Sequence, residues 1–99
     1  MAEVPYRFDG FELDATLYEL RLAGKRVPIE PRAFDVLHHL IAHRDRVVSK
    51  EELLDSVWGD RFVSEAAVTT VLRTIRVAIG DAGREQRLIR TVHRRGYQF

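Results

Sequence analysis

At 100° per residue, Val68, Val71, Leu72, Ile75, Ala78 and Ile79 fall within a single arc of about 120°. That stripe predicts a helix from Ser64 to Ile79 laid along a hydrophobic core, and the rest of the chain has to supply that core. Ser64 suits the N-cap, Val63 and Val68 stand at the spacing of a hydrophobic staple, and Gly80 provides the stop. The opposite side of the helix carries Ala66, Thr69, Thr70, Arg73, Thr74, Arg76 and Val77. A short basic segment follows at 88–99. Leu88, Arg90 and Val92 alternate with Ile89, Thr91 and His93, and after Arg94-Arg95-Gly96 the stretch Tyr97-Gln98-Phe99 can pair back as a hairpin.

Two earlier helices and a sheet complete the core. Pro31 suits a first helical position, where a missing N–H costs nothing, and Phe34, Leu37, Leu40 and Ile41 recur at helical spacing to about His43. Ser49-Lys50-Glu51-Glu52 is a capping box, with Ser at the N-cap and Glu three positions on. The helix it starts turns Leu53, Leu54, Val57 and Trp58 inward, and Gly59 ends it. Residues 6–29 read as three or four antiparallel strands. Tyr6 and Phe8, then Phe11 and Leu13, alternate around the turn dipeptide Asp9-Gly10. Tyr18, Leu20 and Leu22 alternate with Glu19 and Arg21, and Gly24-Lys25 turns the chain into Val27 to Ile29. The division is a sheet at 6–29, a three-helix core at 30–80 and a hairpin at 88–99, forming one domain over 1–99. Ninety-nine residues with 45% hydrophobic content suffice for one core and are too few for two.

The net charge of +1 conceals an uneven distribution. Residues 64–99 hold seven arginines against three acids, whereas residues 1–63 hold nine basic and twelve acidic groups. Basic charge gathered on the segment with the exposed polar helix face is the footprint expected for phosphate contact. Small and hydroxylated residues let a helix lie deep in a major groove about 12 Å wide, and an Arg among them can bond guanine O6 and N7 together. Two helices joined by a short loop, with a basic second helix and then a hairpin tipped by two Arg, follow the layout of a winged helix-turn-helix. Such a tip is placed to enter a neighbouring minor groove or to grip its phosphates. The partner expected from the residues is therefore double-stranded DNA.

At these positions the chain resembles the OmpR/PhoB-type winged-helix DNA-binding domain, most closely the version at the amino terminus of one-component regulators. The matching segments are Ile29-Glu30-Pro31-Arg32-Ala33-Phe34-Asp35-Val36-Leu37, Arg46-Val47-Val48-Ser49-Lys50-Glu51-Glu52-Leu53-Leu54, Val57-Trp58, Val63-Ser64 and Ile89-Arg90-Thr91-Val92-His93-Arg94-Arg95-Gly96-Tyr97. The resemblance implies an α+β fold: an N-terminal four-stranded antiparallel sheet, three helices and a C-terminal β-hairpin wing. It implies bacterial transcription regulation at promoter DNA, often by two copies arranged head to tail on direct repeats. By position it places helix contacts on Ala66, Ala67, Thr69, Thr70, Arg73, Thr74 and Arg76, and wing contacts on Thr91, His93, Arg94, Arg95 and Tyr97. Gly59-Asp60-Arg61-Phe62 corresponds to the loop that touches RNA polymerase in activating members. The chain departs from common members at Ala66 and Ala67, where a polar or basic contact is frequent, and at Thr74, where a second Arg is frequent. Those departures shift expected affinity onto Arg94-Arg95 and onto a second copy bound alongside.

Other functions find less support in the residues. His39 and His43 have a spacing able to chelate zinc, but Leu40 stands where a zinc-protease motif has its glutamate and no third ligand is evident, so no metal is expected. Ser49 and Ser64 read as caps, and Glu51-Glu52 with Asp9, Glu12 and Asp14 as helix-start and strand-surface charges. No catalytic constellation, Gly-rich phosphate loop or cofactor motif is present, and the chain reads as a non-enzyme. No cysteine occurs, no apolar run approaches a span of about 18 residues, and the start Met1-Ala2-Glu3 is not a signal peptide. A cytoplasmic chain with no membrane segment is expected, with any sensor domain following Phe99. The alternative function is a winged helix that contacts a protein through its Arg-rich face, without sequence-specific DNA binding.

Overall fold

In the computed structural model, which describes residues 4–59, 63–83 and 86–99, the chain opens with four strands: β1 (Tyr6–Phe8), β2 (Phe11–Asp14), β3 (Glu19–Leu22) and β4 (Lys25–Val27). They pair antiparallel in sequence order. Tyr6 stands opposite Leu13, Leu13 opposite Leu20 and Leu20 opposite Val27, which lines one face with apolar side chains. Leu13 and Leu20 are fully buried on that face. Asp9 and Gly10 both take positive φ, as the tight hairpin requires. The second hairpin turns at Ala23-Gly24, also both at positive φ, one residue earlier than the sequence predicts. Lys25 opens β4 instead, and positive φ at both central residues marks a type I′ turn, which favours glycine in the second place.

The predicted alternation over Tyr18 to Leu22 holds only at its centre. Leu20 is buried, Leu22 is 42% exposed, and Tyr18 lies in the preceding turn with φ 57°. Asp14 closes that turn by accepting from the Leu17 N–H at 2.9 Å. It is buried, not a surface charge as its position in the strand suggests. Tyr18 instead anchors the sheet to the next helix, its one hydroxyl proton shared between Asp35 at 2.6 Å and the Pro31 carbonyl at 2.9 Å. Burial and the Asp35 carboxylate push its pKa up to about 12.

Helix α1 (Pro31–Ala42) buries Phe34, Leu37, Leu40 and Ile41, with Ala33 and Val36 beside them. Helix α2 (Lys50–Leu53) starts where Ser49 Oγ accepts from the Glu52 N–H at 3.0 Å. The other half of the expected capping box is not made. The Glu52 carboxylate turns toward His39 and toward Arg46, whose guanidinium is a stronger, charged partner than a single backbone N–H. After Leu53 the helix widens into a π turn (Leu54–Trp58), closed by Gly59 N–H donating to the Leu54 carbonyl at 2.9 Å. Leu53 is fully buried, while Leu54, Val57 and Trp58 pack at the core's margin.

Helix α3 (Glu65–Ala78) buries Val68, Leu72 and Ile75, with Ile79 just beyond it. Ser64 has the extended backbone of an N-cap, but its side chain makes no capping bond. The C-terminus is a Schellman closure. Gly80 at φ 73° donates to Val77, and Asp81 donates to Arg76 at 2.7 Å. Strands β5 (Arg90–Val92) and β6 (Gly96–Gln98) then form the terminal hairpin, with Thr91 opposite Tyr97. Sheet, three helices and wing make the α+β winged helix-turn-helix architecture expected from the sequence. Among the described residues, no helix is long and apolar enough to cross a membrane.

Candidate nucleic-acid interface

The outer face of α3 is built from side chains too small or too polar to join the core. Ala66, Thr69, Thr70, Arg73 and Thr74 are exposed, as is Val77 at 65%. The threonines bond inward to their own helix: Thr70 Oγ1 donates to the Ala66 carbonyl at 3.0 Å and Thr74 Oγ1 to the Thr70 carbonyl at 3.2 Å. Their hydroxyl protons are thus in use, which leaves oxygen lone pairs and methyl groups facing outward. A methyl is suited to the thymine methyl, and a lone pair to a base amino group. Arg73 is the long cation of this face.

Arg76 belongs to a different arrangement. The sequence groups it with the reading face, but the side chain folds against the wing, where Nη2 donates to the Ile89 carbonyl and to Thr91 Oγ1, each at 2.9 Å. Its guanidinium lies 5.9 Å from the centre of the Tyr97 ring. Nε is buried without a hydrogen-bond partner. Arg76 therefore couples α3 to the wing, and Thr91 already serves as its acceptor. Tyr97, placed by position among the wing contacts, is only 5% exposed and joins the core cluster.

Three more features fix the wing. The Val48 and Tyr97 backbones exchange hydrogen bonds of 2.8 and 2.9 Å, tying β6 to the segment just before α2. Gly96 makes that approach possible: at φ 141°, a Cβ on it would sit 2.0 Å from the Val48 carbonyl oxygen. Asp81, buried beyond the end of α3, accepts from the N–H of Leu88 at 3.0 Å and of Ile89 at 2.8 Å. Sequence reasoning missed Asp81. The signal was available, since an acid directly after a helix-ending glycine and before a basic strand is well placed to satisfy turning N–H groups.

The wing tip, His93 to Arg95, is exposed, and Arg94 takes φ 61° at the turn. It stands beside the starts of α2 and α3. Lys50 and Glu51 of α2, Glu65 of α3 and residues 91–97 of the hairpin line one open cleft of about 310 Å³. Lys50 joins Arg94 and Arg95 there, although the sequence offered it only as part of a cap. Of the loop 59–62, Gly59 takes φ 65° and closes α2. Asp60, Arg61 and Phe62 lie outside the described residues.

With this geometry in place, likeness to known proteins decides the family. A profile described as "Transcriptional regulatory protein, C terminal" matches residues 24–99. The chain belongs to this OmpR/PhoB-type family. Among its relatives, the phosphate regulon transcriptional regulatory protein PhoB of Escherichia coli (strain K12) is 33% identical over 91 residues, covering 91% of this chain and 39% of that protein. The transcriptional regulator HilA of Salmonella typhi is 37% identical over 92 residues, which are 93% of this chain and 16% of that one. The chain thus spans well under half the length of either relative. Among solved structures, the response regulator DrrB, a Thermotoga maritima OmpR/PhoB homolog, superposes with TM-score 0.86 at 37% identity, over 96% of this chain and 43% of that one. The Klebsiella pneumoniae RstA DNA-binding domain in complex with the RstA box superposes with TM-score 0.87 at 23% identity, over 98% of this chain and 97% of that chain. At that identity the second likeness speaks for the fold alone.

Away from the outer face of α3, the structure corrects one sequence expectation. His39 and His43 do have a third potential ligand beside them: Glu52, brought from α2, with the three groups' ligand atoms all within 4.8 Å of one another. His39 Nε2 lies 2.7 Å from Glu52 Oε2, and the two imidazole rings stack at 4.2 Å. The Arg46 guanidinium, donating to both Glu52 oxygens, pulls that carboxyl down to about 2 against the opposing effect of burial, with His39 adding to the pull. A spacing rule confined to one helix cannot see a ligand delivered by the next.

Proposed function

We propose that this chain binds double-stranded DNA sequence-specifically in bacterial transcription regulation, with α3 in the major groove and the 88–99 hairpin on the adjacent minor groove or its phosphates. One observation carries the reading: the exposed Thr69, Thr70, Arg73 and Thr74 of α3 and the cationic wing tip are held in one rigid frame by Arg76 and the Val48–Tyr97 pairing. Arg73 reads a base edge, the threonines and Ala66 supply close apolar and acceptor contacts, and His93, Arg94 and Arg95 hold phosphates together with Lys50. Arg76, Thr91 and Tyr97 position the wing. Family membership supports this reading, and the likeness to the RstA fold agrees with it.

Promoter DNA is the partner in this proposal, with two copies head to tail on direct repeats and Gly59 to Phe62 offered to RNA polymerase. Selection of bound duplexes from sheared genomic DNA tests it, since a single enriched motif repeated in one orientation is the expected result. Arg73→Ala should cost about 1–3 kcal/mol on the selected site and little on random duplex. Equal loss on both would remove Arg73 from base reading. Changing Arg94 and Arg95 to Ala together should weaken binding on every sequence and flatten its salt dependence by roughly one unit of slope for each phosphate no longer neutralised. A protein-contact module would instead yield no enriched motif and no steep salt slope.

A further inference from the structure

The His39, His43 and Glu52 cluster lies outside the proposed DNA-binding surface, between the last turn of α1 and the first turn of α2. We propose that these three side chains form a binding site for a first-row transition-metal ion, zinc in the first place, completed by water. The arrangement satisfies the chemistry such an ion asks for. Two imidazoles and one carboxylate are a common three-ligand set for zinc, with the fourth position left open. Donor atoms in a tetrahedral zinc site stand about 3.4 Å apart, as follows from bonds of about 2.1 Å. Here the groups already lie within 4.8 Å, so side-chain rotation alone closes the gap.

Hydrogen bonding prepares two of the ligands. His43 Nδ1 lies 2.8 Å from the His39 carbonyl oxygen, which can only accept, so the neutral ring carries its proton on Nδ1 and keeps the lone pair on Nε2. That is the outer-shell contact that commonly orients a metal-binding histidine. Arg46 donates to Oε1 of Glu52 at 2.7 Å and to Oε2 at 2.8 Å, and by keeping Oε1 it can hold the carboxylate while Oε2 turns to the ion. The ion replaces the proton shared by His39 Nε2 and Glu52 Oε2. Access is open, because a groove of about 260 Å³ lined by Asp35, His38, His39, Ala42, His43, Ser56 and Val57 borders the cluster.

The same residues predict which ions are refused. Arg46 already neutralises the carboxylate of this set, so a hard cation that depends on oxygen ligands gains little here, whereas imidazole-binding zinc, cobalt or nickel keeps its two nitrogen donors. Magnesium and calcium should therefore leave the protein unchanged.

The test adds zinc chloride to the 99-residue chain and follows the thermal midpoint. With zinc at about a hundred times Kd, a rise of roughly 10–20 °C is expected from mass action on a domain of this size. His43→Gln should lose at least about tenfold in zinc affinity, and His38→Gln should lose none. Since Glu52→Gln also removes the bridge to Arg46 and could unfold the chain, cobalt(II) provides a second measurement. Intense visible bands of a four-coordinate ion should appear with the native chain and be absent with His43→Gln. No zinc shift in the native chain, an equal shift in His43→Gln, or a magnesium shift as large as that of zinc would each overturn the proposal.

Discussion

The outward face of α3 and the wing are built on opposite plans. On the helix face, Ala66, Thr69, Thr70, Arg73 and Thr74 contribute almost nothing to the core, and the threonines bond only their own helix. In the wing, nearly every residue but the tip is committed: Tyr97 and Ile89 are buried, Thr91 accepts from Arg76, and Gly96 lies against Val48. The comparison separates a surface from its mount. The fold does not depend on the helix face, so that face is free to vary, whereas the wing's direction depends on the bonds that hold it.

Changes in the wing's attachment should therefore lower stability and DNA affinity together, while changes on the helix face move affinity alone. Gly96→Ala has the largest expected effect, a loss of about 3 kcal/mol or more in denaturant unfolding, since the new Cβ collides with backbone at a φ that disfavours it. A near-neutral result would show that the Val48–Tyr97 pairing is not what holds the hairpin. Asp81→Ala comes next at about 2–3 kcal/mol, because two N–H groups lose their acceptor. Hydrogen exchange should quicken at Leu88 and Ile89 ahead of the rest of the chain. Arg76→Ala should cost about 1–2 kcal/mol of stability and weaken binding on specific and random duplexes alike, and selective loss on the specific site would return Arg76 to the reading face. Thr70→Ala should stay within about 0.5 kcal/mol of native stability, and a larger loss would blur the division between the two regions.

The elements legible in the sequence were those whose signals are local. The α3 stripe, the Ser49 cap, the Asp9-Gly10 turn and the Gly59 and Gly80 stops all act within a few residues, and each appears in the structure. What the sequence did not show came from partners distant in it. Glu52 turns from its expected capping bond to Arg46 and His39, the Arg76 side chain packs against Ile89 and Thr91, and Tyr97 is buried beside Val48. Nothing near Tyr18 announced that its hydroxyl would reach Pro31 and Asp35. A charged or aromatic side chain with several possible partners is settled by tertiary geometry, which periodicity does not encode.

The Val48–Tyr97 pairing also sets what the wing's direction costs in chain entropy. It joins positions about half the chain apart, so the loop it closes is far longer than any closed inside α3. Helix α3 keeps its backbone bonds within itself, whereas the wing takes its direction from a contact across the chain. The proposed recognition surface thus joins one part held by local bonds to one held by long-range closure, and only the second is exposed to changes elsewhere in the molecule.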